Sequence, residues 1–411
     1  MNTPLAAGHL LDDEAWERVR LGTIFRCCKW DVQSEDHCVL ARFPLFLARE
    51  EWNRLARWAK SLSAETLAAE RELLGREDLH RRLGFHRAVR KAFRGIRNGE
   101  ASAGAARVMR FDFHLTTDGW RLSEANTDVP GGFIEASGFS ELMGAHYSGT
   151  APPPNPGKIY AAAIQKAAGS SALIALIHAT AYSDDGQVME YIARELRSCG
   201  TRTCMVGPDH LRWKDGRAQI QCRFAEGAPD LLVRFFPAEW LVNLDDRLSW
   251  RGYFRGSKTP LSNPASALIT QSKRFPLAWK DLSEPLPTWR ALMPETRSPH
   301  EVHNLRSGEW VLKPALGRVG EGVAMPGVAT PKQWEQTRKD VLRHPNDWAA
   351  QRRFEAVPLE ADSGPCFACL GVFTVDGEAA GIYGRIASKP LIDMDAQDVA
   401  VLISREGQVE S

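Results

Sequence analysis

Arg110-Phe-Asp-Phe-His-Leu-Thr-Thr-Asp-Gly-Trp-Arg-Leu-Ser-Glu-Ala-Asn126 alternates polar and apolar residues on both sides of Asp118-Gly119. Strand side chains return to the same face every second residue, and Asp-Gly closes hairpins, so the stretch reads as a β-hairpin. A three-residue loop of Thr117, Asp118 and Gly119 would pair Thr116 with Trp120. Counting back, Asp112 faces Glu124 and Arg110 faces Asn126, while Phe111 and Phe113 take the other face. A two-residue loop would slip the register by one and split the polar set. Two carboxylates opposed across a strand pair repel unless a cation or water lies between them. Asp, Glu and Asn oxygens are hard ligands of the kind Mg²⁺ takes beside substrate phosphates, and Arg110 adds a fixed guanidinium fork. The plainer alternative is an exposed hairpin with solvated charges on its outer face.

Upstream of the hairpin, residues 48–95 place Trp52, Leu55, Trp58, Leu62, Leu73, Leu79, Leu83, Val89 and Phe93 at helical intervals with charges between. Downstream, Val129-Pro-Gly-Gly132 leads to a short helical segment over 133–143. Ala151-Pro-Pro-Pro-Asn-Pro-Gly157 then reads as a loop without regular structure. Ala172-Leu-Ile-Ala-Leu-Ile177 is a buried strand of parallel type, followed by a loop over 179–187, a helix over 188–198 and strands over 201–206 and 231–236. Residues 268–291 read as helical with a proline break, 309–313 as a strand and 331–344 as a helix. Three closing strands are expected over 348–354, 366–375 and 379–386.

The chain has 411 residues, enough for two or three domains, with 44% hydrophobic and 25% charged residues. A net charge of +1 gives no electrostatic footprint for nucleic acid or an anionic membrane. No apolar run approaches the roughly 18 residues of a membrane span, and Asp12, Asp13 and Glu14 do not suit a secretory signal, so a cytoplasmic protein is expected. Eight cysteines, two of them adjacent at Cys27-Cys28, do not suggest a disulfide framework, and reduced thiols are expected.

A second constellation surrounds Lys313. The lysine ends a strand and is followed by Pro314-Ala-Leu-Gly-Arg-Val-Gly-Glu-Gly322, so Gly317, Gly320 and Gly322 can fold backbone N–H groups over a polyphosphate while the ammonium pairs with its oxygens. The spacing is neither that of a P-loop nor of a dinucleotide fingerprint. Alone it would be an ordinary turn; the hairpin gives it weight.

Together these segments resemble the glutathionylspermidine synthase family, a circularly permuted branch of the ATP-grasp ligases. The resemblance rests on Arg110-Phe-Asp-Phe-His114 with Ser123-Glu-Ala-Asn126, and on Leu312-Lys-Pro-Ala-Leu-Gly-Arg318. Asp184-Asp-Gly-Gln187, Phe235-Phe-Pro-Ala-Glu-Trp240 and Ala380-Gly-Ile-Tyr-Gly-Arg385 follow in family order, within residues 105–405. It implies an α/β (α+β) protein of ATP-grasp type. The expected parts are a largely helical region over 1–104, the metal-binding hairpin segment over 105–150, a Rossmann-like pre-ATP-grasp layer over 158–255 and nucleotide-binding lobes over 256–411. It is a resemblance to the synthetase part, since the first hundred residues supply no Cys-His arrangement of a hydrolytic amidase.

Carried over position by position, the resemblance implies Asp112, Glu124 and Asn126 as Mg²⁺ ligands, with two ions expected on ATP, and Arg110 as the catalytic cation. Lys313 and Lys273 would contact nucleotide phosphates, Gln351 would sit at the adenine hinge, and Arg385 near the phosphates. The implied reaction is amide formation between a small-molecule or peptide carboxylate and an amine through an acyl phosphate. Phosphoryl transfer needs positioning and cations more than protein nucleophiles, which suits this kit. The family's glutathione-using member has small hydroxyl residues where this chain has Val129-Pro-Gly-Gly132, so glutathione does not carry over as the acid. An ATP-binding regulatory or scaffold protein without catalysis, or another ATP-dependent phosphotransferase, are the competing readings; the retained Arg110, metal trio and Lys313 argue against the first.

Other candidates are weaker. Cys366 and Cys369 with His300 and His303 invite a zinc reading, but the cysteines lie in an alternating strand pattern that does not aim i and i+3 at one metal. His114 reads equally as a substrate contact and as a neighbour of the acidic groups. Asp184, Asp185 and Glu239 are available to line an amine pocket.

Overall fold

The computed structural model describes residues 3–34, 37–96, 105–223, 225–255, 257–318 and 320–404. Its hairpin consists of β1 (Val108–Thr116) and β2 (Gly119–Asn126). The expected pairing of the polar residues is present, but it is reached by a different route. The loop has two residues, Thr117 and Asp118: Thr116 pairs with Gly119 and Phe113 with Leu122. Ser123 is then bulged out, so that Asp112 faces Glu124 and Arg110 faces Asn126. A bulge adds one residue to one strand and here cancels the shorter loop, so the predicted split of the polar face does not occur. Gly119 takes the left-handed conformation at φ 88° that the turn demands.

Helix α1 (Asp13–Cys27) begins on Asp12, whose carboxylate accepts from the Ala15 N–H. Helix α2 (Arg49–Leu74) buries Trp52, Leu55, Ala59, Leu62, Thr66, Ala69 and Leu73, the stripe the periodicity predicts. That stripe covers the apolar face of the main sheet: Trp58 stacks 6.5 Å from Phe113, and Trp289 meets Phe111 edge-on at 6.1 Å.

A four-stranded parallel sheet carries the expected Rossmann-like layer. Its strands are β3 (Leu173–Ile177), β4 (Arg202–Val206), β5 (Leu231–Arg234) and β6 (Leu261–Ser262), in spatial order β6-β5-β3-β4. Two expectations are corrected here. The proline-dense segment ends inside a helix: Asn155 caps α3 (Pro156–Ala168), with Pro156 in the first turn, where a missing N–H costs nothing. Helix α4 (Ser183–Ser198) starts within the predicted loop, so Asp184 and Asp185 lie in its first turn, where acidic side chains favour the helix dipole.

Residues 268–292 form short turns, Leu268–Gln271, Phe275–Asp281 and Pro287–Leu292, rather than one broken helix. Strand β7 (Trp310–Pro314) runs antiparallel to β8 (Trp348–Arg352), and helix α5 (Pro331–Arg343) lies between them in sequence. Leu305, Trp310, Leu312, Val341 and Ala350 share a small core of their own. Strands β9 (Phe367–Val375), β10 (Glu378–Ala387) and β11 (Gln397–Val399) complete the five-stranded sheet in the order β11-β10-β9-β1-β2. A separate sheet joins Leu5–Ala7, Leu45–Leu47, Val401–Ser404 and Thr150–Ala151, which ties the start of the chain to its end. The eight cysteines are free thiols. Among the described residues no helix is long and apolar enough to cross a membrane.

Candidate active site

With one face of the five-stranded sheet sealed by α2, the other collects polar side chains in register. Asp112 lies beside Gly371, which lies beside Tyr383; Cys369 lies beside Arg385, which lies beside Asp398. Gly371 leaves room: a Cβ there would stand 2.7 Å from the Arg110 Cδ and 2.8 Å from the Asp112 Oδ1. The Arg110 fork donates from Nε to Asp112 Oδ1 at 2.7 Å and from one terminal nitrogen to Oδ2 at 2.8 Å. Its other terminal nitrogen donates to the Gly131 carbonyl at 2.6 Å, and the guanidinium sits 4.9 Å from the Tyr383 ring centre. The Asn126 amide donates to Asp112 Oδ2 at 3.0 Å. All three side chains named for the metal therefore lie on one face, with Arg110 among them.

Lys273, after the turn Leu268–Gln271, and Lys313, on β7, bring their ammonium groups to the same place. Lys273 Nζ is 3.1 Å from Glu124 Oε2 and donates to the Gly317 carbonyl at 2.6 Å. Lys313 Nζ donates to Gln351 Oε1 at 2.7 Å and to the Ser123 carbonyl, the bulge residue, at 3.1 Å. Gln351 is thus a buried partner of Lys313 on β8. Gly320 and Gly322 adopt positive φ of 72° and 70°, and a Cβ on Gly320 would meet the Ile392 carbonyl at 2.6 Å, so the loop needs glycine at these two positions. Arg385 belongs to the polar face, donating to the Asp393 carbonyl at 2.6 Å.

Burial sets the electrostatics. It raises the Asp112 carboxyl despite Arg110, with Glu124 adding repulsion. Burial also works against the Glu124 charge, but Lys273 and Lys313 overcome it and bring the carboxyl down to about 2. Burial lowers Lys313 to about 8, against the pull of Glu124. His114 is lowered to about 4 by burial and by Lys313; its Nε2 lies 3.1 Å from the Ser123 hydroxyl, which makes it a satisfied neighbour of the bulge.

Among the described residues, no three His, Cys, Asp or Glu side chains are grouped to hold a metal. The candidate set has two carboxylates and one amide, which is the hard-oxygen chemistry of Mg²⁺ shared with phosphates. Asp112 and Glu124 each retain acceptor capacity beyond the Arg and Lys bonds described, and Gly371 keeps a side chain out of the space beside Asp112. The donor set fits a Mg²⁺ that completes its shell with phosphate oxygens and water. The zinc reading fails on geometry: His300 and His303 line a cleft with Arg306 and Arg338, while Cys369 sits on the sheet face beside Arg385.

Sequence reasoning missed a ring of ion pairs around this face. Arg234, buried at the end of β5, pairs with Asp128, which also accepts from the Ala238 N–H at 3.0 Å. Arg318 of the glycine loop lies 3.6 Å from Asp128, donates to Glu239 at 3.0 Å and stacks on Trp240 at 5.3 Å. Lys29 reaches Glu135 and Asp398 from the N-terminal region. The signal for Arg318 was its place at the end of the quoted Leu312–Arg318 motif; for Lys29, separated by 106 and 369 residues from its partners, no sequence pattern exists.

A hairpin bearing a metal-type donor set, faced by lysines from a glycine-loop lobe and backed by a parallel α/β layer, defines a fold of ATP-grasp type. The chain belongs to the family described as glutathionylspermidine synthase pre-ATP-grasp, which matches residues 41–404. The match begins earlier than the hairpin-centred resemblance and takes in α2. Among solved structures, the chain is similar to a glutathione synthetase-like effector from Globodera pallida in apo form. That likeness has a TM-score of 0.65 at 14% identity, over 95% of this chain and 97% of that one, and it shows the fold. A putative gamma-glutamylcysteine synthetase from Methylobacillus flagellatus KT aligns at a TM-score of 0.42 and 12% identity, over 79% of this chain and 86% of that one. No curated protein matches the sequence.

Proposed function

We propose that the protein is an ATP-dependent carboxylate–amine ligase. The observation that carries this reading is the convergence of Arg110, Asp112, Glu124 and Asn126 with Lys273 and Lys313 on one buried face. A carboxylate is a poor acylating agent. Transfer of the γ-phosphoryl of ATP to its oxygen releases ADP and gives an acyl phosphate; the amine nitrogen then bonds to the acyl carbon, inorganic phosphate leaves, and the nitrogen sheds a proton. Mg²⁺, held by Asp112, Glu124 and Asn126, would neutralise the phosphate charge. Lys313 and Lys273 are suited to the nucleotide phosphates. Arg110 already lies among hydrogen-bond acceptors, and its fork can turn from Asp112 to the transferring phosphoryl and to the oxyanion of the amide-forming step. Lys313, lowered by burial, is poised to gain charge when a polyanion arrives. The family supports a synthetase-like ligase.

The test is ADP and phosphate release across pairs of acids and amines. The reading requires release that depends on both partners together. Release with one alone, or with neither, would instead describe a hydrolase or a phosphotransferase.

A further inference from the structure

Strand β2 carries Glu124 and Asn126 on one face, and each meets a side chain from one short segment of the chain. Lys273 Nζ reaches Glu124, and Gln271 Nε2 faces Asn126 Oδ1 at 3.5 Å. Between them Ser272 has extended backbone, φ −58° and ψ 129°, so residues 271 and 273 look toward β2. Ser272 looks away and donates to the Leu83 carbonyl at 2.6 Å. The proposed chemistry gives Lys273 a part in holding the nucleotide and leaves Gln271 without one.

An amide side chain has an acceptor end and a donor end, and its partners decide which lies where. For Gln271 the choice is forced. One end receives two backbone N–H groups, from Thr127 at 2.7 Å and from Asp128 at 3.0 Å, and only the oxygen can accept both. The NH₂ group is therefore the end that faces Asn126. Asn126 in turn lies between two partners that agree. On one side the Asp112 carboxylate, gripped by the Arg110 fork, can only accept, and it takes the Asn126 Nδ2 at 3.0 Å. On the other, the Gln271 NH₂ can only donate. A turned Asn126 amide would set N–H against N–H at one end and oxygen against oxygen at the other. An asparagine ligates a hard cation through its oxygen, so this orientation decides whether Asn126 is a ligand at all. The carbonyls of Thr127 and Asp128 are held separately, by Asn263 Nδ2 at 3.2 and 2.8 Å, so the backbone after Asn126 does not depend on Gln271 alone.

We propose that Gln271 is a positioning residue for the metal site. It fixes the Asn126 amide with its oxygen turned away from Asp112, the orientation in which Asn126 can ligate the Mg²⁺ of the ligase reading, on which this inference rests.

The experiment reads Gln271→Met in two backgrounds. Calorimetric titration with a non-hydrolysable ATP analogue gives the Mg²⁺ concentration at which the metal's enhancement of binding is half complete. A carboxylate has oxygen at both ends, so in the Asn126→Asp background the orientation no longer matters. The expected result is a Mg²⁺ requirement raised about tenfold by Gln271→Met when Asn126 is present, and by no more than about twofold in the Asn126→Asp background. A merely structural role would move the requirement equally in both backgrounds. That result, or an unchanged requirement in Gln271→Met, overturns the proposal, as does loss of the Mg²⁺ effect in Asn126→Asp alone. If Gln271→Met is not recovered folded, Gln271→Ala, which admits water to the two N–H groups at this half-buried position, is read in the same way. If neither folds, the amide serves the fold rather than the ligand and the proposal is overturned. A wild-type protein without Mg²⁺-dependent analogue binding overturns the ligase reading and this inference together; Mg²⁺-dependent binding indifferent to Gln271 overturns the inference alone.

Discussion

Asp112 and Glu124 face each other across β1 and β2, yet each is held by a cation from a different side: Arg110 of its own strand grips Asp112, and Lys273, after the turn Leu268–Gln271, grips Glu124. The repulsion of two opposed carboxylates is relieved by these two cations.

The first prediction follows from the unequal burial of that pair. The Asp112 side chain is 8% exposed and Glu124 26%. Asp112→Asn strands the buried Arg110 fork, a loss on the order of 3 kcal/mol, whereas Glu124→Gln leaves Lys273 its bond to the Gly317 carbonyl and costs about 1 kcal/mol. Both variants should still fold and both should lose the stabilisation that a Mg²⁺–ATP analogue gives the wild type. Denaturant unfolding with and without the analogue measures both effects; an analogue response near wild type in both variants would overturn the proposed role of Asp112 and Glu124 as metal ligands.

The legibility of the site has a physical limit that Ser123 illustrates. Strand periodicity places Asp112, Glu124, Arg110 and Asn126 on one face correctly, because two departures from the expected hairpin, a shorter loop and a bulge, cancel. Local pattern also finds β3, β7, β9, β10 and α2, where burial on one or both faces leaves a regular signature. It fails where a capping residue overrides composition, as Asn155 does ahead of Pro156. It is silent on Lys29 and Arg234, whose partners are brought near only by the closing of separate layers.

Gly371 gives the second prediction. Its missing side chain is what lets the Arg110–Asp112 fork lie flat against β9, so Gly371→Ala should push the fork aside, with contacts otherwise near 2.7 Å. The overpacking cost is about 1–3 kcal/mol, modest for a chain of this size, while turnover should fall at least tenfold. Measuring both the unfolding midpoint and the rate with an active acid and amine pair separates the effects. Full activity would show that the fork does not act from the position in which it stands.

Asp185 provides a prediction in pH. Burial raises its carboxyl to about 6, with Arg318 opposing. A folded-state value above the ordinary carboxylate value means that the native state favours the protonated form. The charged group then costs stability at high pH, and that cost disappears as pH falls through 6 to below about 4. Asp185→Asn should therefore stabilise the protein by about 1–2 kcal/mol at pH 8, allowing for its partial exposure, and by nothing measurable near pH 3.5. Equal effects at both pH values would assign the change to packing instead.

Arg318 carries the last prediction. Its side chain joins the glycine loop after β7 to neighbouring segments, by its bond to Glu239, its stacking on Trp240 and its approach to Asp128. Glu239 Oε2 is buried without a partner among the described residues, so losing Arg318 leaves that carboxylate with less compensation and the loop with less to hold it. Arg318→Ala should raise the population of open loop on the order of tenfold, the equivalent of about 1.4 kcal/mol of lost contact. Limited chymotryptic cleavage at Leu316 measures this directly, since cleavage of a reversibly opening segment tracks its open fraction. A Mg²⁺–ATP analogue should slow cleavage of the wild type, and of Arg318→Ala to a smaller degree. Cleavage at the wild-type rate in Arg318→Ala would show that the loop is held by its backbone contacts to Ile392 and Lys273 rather than by the arginine.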